Sequence, residues 1–470
     1  MTRIQRLKHN LIGNKAFYGQ VMVILVPLVI QNTVSNVVSL VDNIMVGRVG
    51  TLEMSAVAIV NQLLFVFYLA IFGGLAGAGI FSAQFVGAGD HKGVRHCFRM
   101  KMYIATLTLV LALAIFILLP DKLISLYLAE NTTPADAAQT LMHGKNYLGI
   151  MLLGLPPFAI SQVYASTLRE MGETKVPMLA SLVAIGSNCI LNYILIFGSE
   201  GLPFLPFGPM GVEGAAIGTA ISRFAETAII VIYVHTHREK CPFIKGAYKS
   251  LAVPKKLTKD IVKKGFPLFA NEILWSMGMA AMMQCYSVRG LEVVAATNIA
   301  TTVSNLFNVV FLAMGSAIAI IIGQQLGAGE IEKAKTTVWR LLALTVFSCV
   351  ILGGIMAALA PYIPLIYNTT DTVRLLSKEL LFVFSAVMPF LGFAHGCYFA
   401  LRSGGKTGLT FAFDCGFTWV VIFPTAFILA NFTDISIVPL FIAVQSIEVV
   451  KSLIFAVLIK KGIWINNIIK

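Results

Sequence analysis

Read for apolar and polar positions, the chain is a succession of long hydrophobic runs broken by short polar turns. A run of about 20 residues is long enough for a helix to cross a bilayer core. Twelve such runs stand at 17–46, 52–82, 99–119, 144–168, 177–199, 212–235, 261–287, 293–323, 338–360, 378–401, 408–430 and 436–459. The pattern predicts an all-α membrane protein with twelve transmembrane helices. Several runs exceed the minimum, which predicts tilted or bent helices.

The longest polar stretch, "THREKCPFIKGAYKSLAVPKKLTKDIVKK" from Thr236, falls between the sixth and seventh runs. The halves on either side follow one plan. Residues 27–90 align without a gap on 267–330 at a constant offset of 240, so that Pro27 meets Pro267, Gly50 meets Gly290, Gln84 meets Gln324, and "GAGD" meets "GAGE". A second block, Pro156, Leu168, Arg169, Gly172 and Thr174, recurs at offset 233 as Pro389, Leu401, Arg402, Gly405 and Thr407. An even number of spans per half gives both halves the same orientation. The expected architecture is two six-helix bundles, residues 1–235 and 261–470, joined by a cytoplasmic connector at 236–260. They are expected to be related by a pseudo-two-fold axis along the membrane normal, a parallel-repeat plan used by secondary transporters.

Charge then sets the orientation. Only 12% of the chain is charged, yet the net charge is +13. Of the 35 Lys and Arg, 27 fall in alternate loops and termini on one side, including Arg3, Arg6, Lys8, Lys15 and the 87–101 and 236–264 segments. The opposite loops hold Arg48, Lys122, Arg289 and Arg374. This positive-inside bias predicts both termini in the cytoplasm and a multi-pass protein of the cell membrane. It makes contact with anionic lipid heads a secondary consequence and nucleic acid an unneeded partner. The polar, basic first 16 residues followed by an overlong apolar run do not read as a cleavable signal peptide. The seven cysteines include no CxxC pair, so no disulfide framework is expected.

"GAGD" at 87–90 fits the GxGD pattern of intramembrane aspartyl proteases, but its copy "GAGE" at 327–330 points to a turn before a helix start. No zinc, hydrolase or P-loop motif is present, so no enzymatic activity is expected.

The informative residues are acids inside the apolar runs. In the first run, Asn32, Ser35, Asn36, Ser39, Asp42 and Asn43 follow Pro27 at helical spacing, forming a polar stripe that ends in a carboxylate. Such a stripe faces a water-accessible cavity or partner helices, and Pro27 can bend the helix where its character changes. The competing reading is a carboxylate near enough to the outer interface to be solvated. In the seventh run, Glu272 lies about eleven residues in from the edge, roughly half the bilayer. A carboxylate there costs a few kcal/mol unless hydrated, paired or protonated, which makes it a candidate proton carrier or cation site. Asn271, Trp275, Ser276, Met279 and Met283 surround it at helical spacing; the methionines and the aromatic suit a pocket that repacks around apolar cations, or plain core. In the repeat, Asp42 meets Met282 and Glu272 meets Asn32, so the acids of the two halves are not equivalent. Arg223 with Glu226, and Glu448 with Lys451, read as i,i+3 structural pairs. Asp414 is expected at the interface.

Together, "VDNIMVGRVG", "GLPPF…LREMGETKVP", "SNCILNYILIFG", "GVEGAAIGTAISR" and "GFPLFANEILW" resemble the multidrug and toxic compound extrusion (MATE) family of cation-coupled antiporters over essentially the whole chain. The resemblance implies export of organic cations or other amphipathic drugs in exchange for Na⁺ or H⁺, by rocking of two bundles about a central cavity, and with no other cofactor. Asp42 matches the family's first-span aspartate, which is protonated or cation-bound during transport. Tyr147, Asn188, Asn192 and Thr219 match the polar positions around it, and Asp42 with Asn188 is the candidate Na⁺ site. Many members carry an aspartate where this chain has Asn192. Glu272 matches the glutamate of the second-bundle cation site, with Trp275 and Met279 as cavity candidates. The acidic partner expected in span ten falls at Leu391, and His395 is the titratable side chain of that stretch, so a second-bundle Na⁺ site is not taken as intact. A monomer is expected. The alternative is a flippase for lipid-linked oligosaccharides or lipids; it favours a cationic cavity lining, whereas the interior charges singled out here are mainly acids.

Overall fold

The computed structural model describes residues 11–128, 133–203 and 206–470. Arg3, Arg6 and Lys8 of the basic tail lie outside them, as do the side chains of Ser39 and Asn43. Twelve long helices follow one another: α1 Lys15–Gly47, α2 Thr51–Gly87, α3 His91–Leu118, α4 Pro134–Glu170, α5 Lys175–Gly201, α6 Gly211–Thr236, α7 Lys255–Ser287, α8 Leu291–Gly327, α9 Ile331–Leu359, α10 Asp371–Ser403, α11 Thr407–Phe432 and α12 Ile437–Lys460. There is no strand among the described residues. Eleven of these helices are long and apolar enough to cross a membrane. The twelfth, α7, is less apolar because it opens on lysines and carries Asn271 and Glu272 inside. On α3, Leu107, Val110, Leu111, Ile115, Ile117 and Leu118 are all exposed, the mark of a face that meets lipid rather than water.

The apolar runs locate the helices but not their ends. α4 begins ten residues before its run, at a Thr133 cap whose Oγ1 accepts the Asp136 N–H at 3.2 Å. α10 begins seven residues early, with Thr370 Oγ1 accepting the Val373 N–H at 3.3 Å.

The repeat is visible in the turns. After α2, Gly89 (φ 72°) lets the Asp90 N–H reach back to Phe85 O at 2.9 Å; after α8, Gly329 (φ 78°) does the same for Glu330 and Gln325 at 3.0 Å. The α4 and α10 ends repeat the device with Gly172 and Gly405. Each is a helix C-terminus closed by a left-handed glycine. "GAGD" and "GAGE" are therefore turns that stop one helix before the next begins.

By packing, the chain divides into two units: residues 1–29, 83–90 and 260–470 form one, and residues 30–82 and 91–259 the other. The division drawn from sequence kept 1–235 together; the start of α1 and the turn after α2 belong instead with the second half. The reason is apolar contact in the first case. Val21, Leu25 and Leu28 of α1 are buried with Met314, Ile318 and Leu342. In the second case it is close backbone approach. A Cβ on Gly87 would fall inside the Gln324 carbonyl, and one on Gly327 inside that of Gln84, its repeat counterpart. Such reciprocity is what a two-fold relation produces where repeat-equivalent residues meet.

In the other unit, the polar stretch after α6 is pinned rather than loose. Arg99 donates through Nε, Nη1 and Nη2 to the carbonyls of Ala247, Ala252 and Gly246 at 2.8, 2.9 and 2.9 Å, and Phe243 is fully buried against Phe98. Burial pushes the Cys241 thiol up to about 11, helped by the Glu173 carboxylate, so it stays protonated. Lys101, counted with the basic loop, is buried in an ion pair with Glu170 at 2.6 Å.

Candidate functional site

In the unit of residues 30–82 and 91–259, α1, α5 and α6 converge on Asp42. Asn192 Nδ2 donates to Asp42 Oδ1 at 3.0 Å. One turn back on α5, Asn188 stands between Asp42 and Thr219. With its amide nitrogen toward the carboxylate it donates to Asp42 Oδ2 at 2.9 Å, and its oxygen accepts from the Thr219 hydroxyl at 3.1 Å. Close packing of α5 on α6 makes room for this set. A Cβ on Gly214 would stand 2.6 Å from the Leu195 backbone, and one on Gly218 would collide with Asn192 Oδ1.

The nearby cation is already engaged. Arg223 lies 3.2 Å from Glu226, which is buried, and its guanidinium rests over the Phe158 ring. Tyr147 is buried at the edge of the cluster, donating to Asn61 Oδ1 at 3.4 Å, with Tyr68 and Asp42 as its charged or ionisable neighbours. Of the residues singled out from sequence, Asp42, Asn188, Asn192 and Thr219 share one hydrogen-bonded cluster. Tyr147 borders it, and Asn36 is exposed outside it. Asn61 and Tyr68 went unnoticed; the pair of amides Asn61 and Gln62 in the run "AIVNQLLF" was the available signal.

The oxygen set around Asp42 is one carboxylate with neutral amide and hydroxyl groups. Such groups can turn to donate to a carboxylate or to accept from a proton or a hard cation. Among the described residues, no three or more His, Cys, Asp or Glu stand together as a metal cluster.

The other unit holds a different arrangement. Asn271, the residue before Glu272 on α7, donates to Asp414 Oδ2 at 3.0 Å and reaches Tyr398 Oη at 3.5 Å. Lys451 on α12 stands 2.9 Å from Glu448 and 3.4 Å from Asp414. Arg402 and Asp414 are the charges that act on Glu272. Asp414 ties three helices together, α11 to α7 and α12. It sits in a π turn, Ala412–Gly416, followed by another at Thr418–Ile422. Wide turns of this kind recur at functional positions, and sequence counting does not anticipate them. Glu448 and Lys451 do form the expected pair, and so do Arg223 and Glu226. Trp275 and Met279 are exposed on α7 rather than gathered with the polar groups. His395 is enclosed by the rings of Phe311 and Phe399, and a Cβ on Gly315 would stand 2.8 Å from its Nε2.

Twelve long helices among the described residues, carrying one turn design twice and with part-buried carboxylates in each unit, define a multi-pass membrane transport protein built by internal duplication. The chain belongs to the MatE family, whose model matches residues 27–194 and 267–428, one stretch in each repeat. It is 25% identical over 440 residues to the probable multidrug resistance protein NorM of Thermotoga maritima, covering 93% of this chain and 91% of that one. The probable multidrug resistance protein YoeA of Bacillus subtilis is 25% identical over 420 residues, covering 88% and 87%. Among solved structures, the Vibrio cholerae MATE transporter VcmN in its bent form superposes with a TM-score of 0.83 at 18% identity, covering 95% of this chain and 97% of that one. A MATE protein in a straight conformation gives 0.83 at 19% identity, covering 94% and 95%.

Proposed function

We propose that the protein is a secondary antiporter that exports organic cations and other amphipathic drugs, exchanging them for Na⁺ or H⁺ by alternating access. Asp42 is the coupling residue of this reading, with Asn188, Asn192 and Thr219 as its supports; the Na⁺ form of the site is Asp42 with Asn188. Membership of the MatE family and the names of the relatives support the substrate class. The observation that carries the coupling role is that Asp42 rests on neutral donors, while the neighbouring Arg223 is engaged by Glu226. A carboxylate so held can exchange its counter-charge, a proton or cation on one side and a cationic substrate on the other. The basic bias of one set of loops supports cytoplasmic termini in the cell membrane.

The test is ethidium efflux from proteoliposomes under imposed Na⁺ or H⁺ gradients. Wild type is expected to extrude dye under at least one gradient. Asp42→Asn is expected to lose gradient-driven extrusion while remaining folded. Full activity in Asp42→Asn would remove Asp42 from the cycle, and a wild type that moves no cationic dye would turn attention to lipid-linked substrates.

A further inference from the structure

We propose that Lys451 is a tethered cation that fills the place of Na⁺ among the second unit's carboxylates and thereby decides the ion specificity of that unit. The side chain comes from α12 with its ammonium 2.9 Å from Glu448 Oε2 and 3.4 Å from Asp414 Oδ1, and the residue is 7% exposed. An ammonium and a Na⁺ ion compete for the same oxygens and supply the same charge. The lysine holds two advantages: it is delivered by the helix at high effective concentration, and its partners are fixed around it. Asn271 anchors Asp414 from α7 at 3.0 Å, and Glu448 is one helical turn from Lys451 on the same strip.

The rest of the cluster is set up for a cation. Asn271 is 3% exposed and its Oδ1 has no hydrogen-bond donor, although its amide nitrogen is bound to Asp414. A buried carbonyl oxygen without a donor is expensive unless a positive group lies close by. With the ammonium removed, the Asp414 and Glu448 carboxylates that share it are left as oxygen ligands of the kind that hard cations select. Asp414 and Glu448 share this one ammonium, which stands within 3.4 Å of both. A Na⁺ ion added beside Lys451 would have to displace it or share its ligands.

The inference deepens the antiporter reading, because it assigns Na⁺ selectivity within it, but the binding claim is measured without any drug. Asp42→Asn protein, which removes the first unit's carboxylate, is titrated with Na⁺ against K⁺ at constant ionic strength, reading thermal stability in detergent and ²²Na⁺ retention. With Lys451 intact, no saturable, Na⁺-specific response is expected. In the Asp42→Asn, Lys451→Ala double variant, a saturable Na⁺ response at least tenfold above that of K⁺ is expected, and adding Asp414→Asn is expected to abolish it. Lys451→Arg is expected to behave as the parent. Lys451→Met, which keeps the volume, serves as the second neutral variant where Lys451→Ala does not fold. A folded neutral variant with no Na⁺ response overturns the proposal. So does a Na⁺ response that needs Asp414 while Lys451 is present, a measurement that requires no substitution of the lysine. Absence of dye efflux from wild-type proteoliposomes, with these ion responses intact, would instead sink the antiporter reading alone.

Discussion

In one unit Asp42 is held by Asn192 and by Asn188, which Thr219 anchors, and none of these carries a charge; in the other, Asp414 is held by Asn271 and by the ammonium of Lys451. Both clusters gather charges from helices that face each other within their unit, and both contain an i,i+3 ion pair on the last helix of a repeat. The order of that pair is reversed: Arg223 precedes Glu226, whereas Glu448 precedes Lys451. In the first case the pair closes on itself and leaves Asp42 to neutral donors. In the second the lysine reaches past its own partner to a carboxylate on another helix. A duplicated scaffold has thus produced one carboxylate held by neutral groups and one whose counter-charge is built in.

The comparison is broken most severely by removing the built-in cation. Lys451→Met leaves the part-buried Asp414 and Glu448 without their shared partner. Loss of one member of a fully buried ion pair costs about 3–5 kcal/mol, an upper bound for these carboxylates, which keep some contact with solvent. Thermal unfolding in Na⁺-free buffer is expected to show that loss, with Na⁺ recovering part of it. Asp42→Asn is the opposite case. It exchanges one hydrogen-bonding group for another of the same shape, so a stability change within about 1 kcal/mol is expected, together with loss of gradient-driven efflux. A large destabilisation in Asp42→Asn would mean that its charge is structural after all.

A milder change sharpens the first cluster without touching its polar groups. Gly218→Ala brings a methyl group onto Asn192 Oδ1. Overpacking of this kind costs about 1–3 kcal/mol, and here the group that gives way is the one donating to Asp42. Reduced efflux at retained expression is expected, with Asn192→Ala giving a similar transport defect. If Gly218→Ala transports normally, the Asn192–Asp42 contact is dispensable.

The sequence made the helices and their duplication legible because both are long-range patterns: apolar runs of bilayer length, and glycines recurring at fixed offsets. Gly89 with Gly329, and Gly172 with Gly405, are readable for a physical reason, since only glycine closes those turns without strain. Asp42 stood out for being an acid on a polar stripe. The packing units were not legible, because the contacts that draw Val21 and Leu25 away from their own half are apolar and carry no mark in the chain. The partners of Asp414 were not legible, because counting along a regular helix does not show the two π turns or the residues on α7 and α12 that decide its surroundings. Interior pairs within one helix can be read from spacing; interior pairs between helices cannot.

The smallest effect tests the neutrality of the Asp42 cluster itself. The Thr219 hydroxyl does not touch Asp42; it fixes the amide of Asn188, which does. Thr219→Val keeps the shape and removes the hydroxyl, and one hydrogen bond of this kind is worth about 1 kcal/mol. Freed from that anchor, Asn188 can present either its nitrogen or its oxygen to whatever Asp42 holds. The expected outcome is unchanged folding and transport that persists, with a several-fold weaker dependence on the driving ion in proteoliposomes. Thr219→Ser, which restores the hydroxyl, is expected to recover the wild-type ion dependence. Equal ion dependence in Thr219→Val and wild type would show that the carboxylate is served by Asn192 alone, and that the first cluster is simpler than its hydrogen bonds suggest.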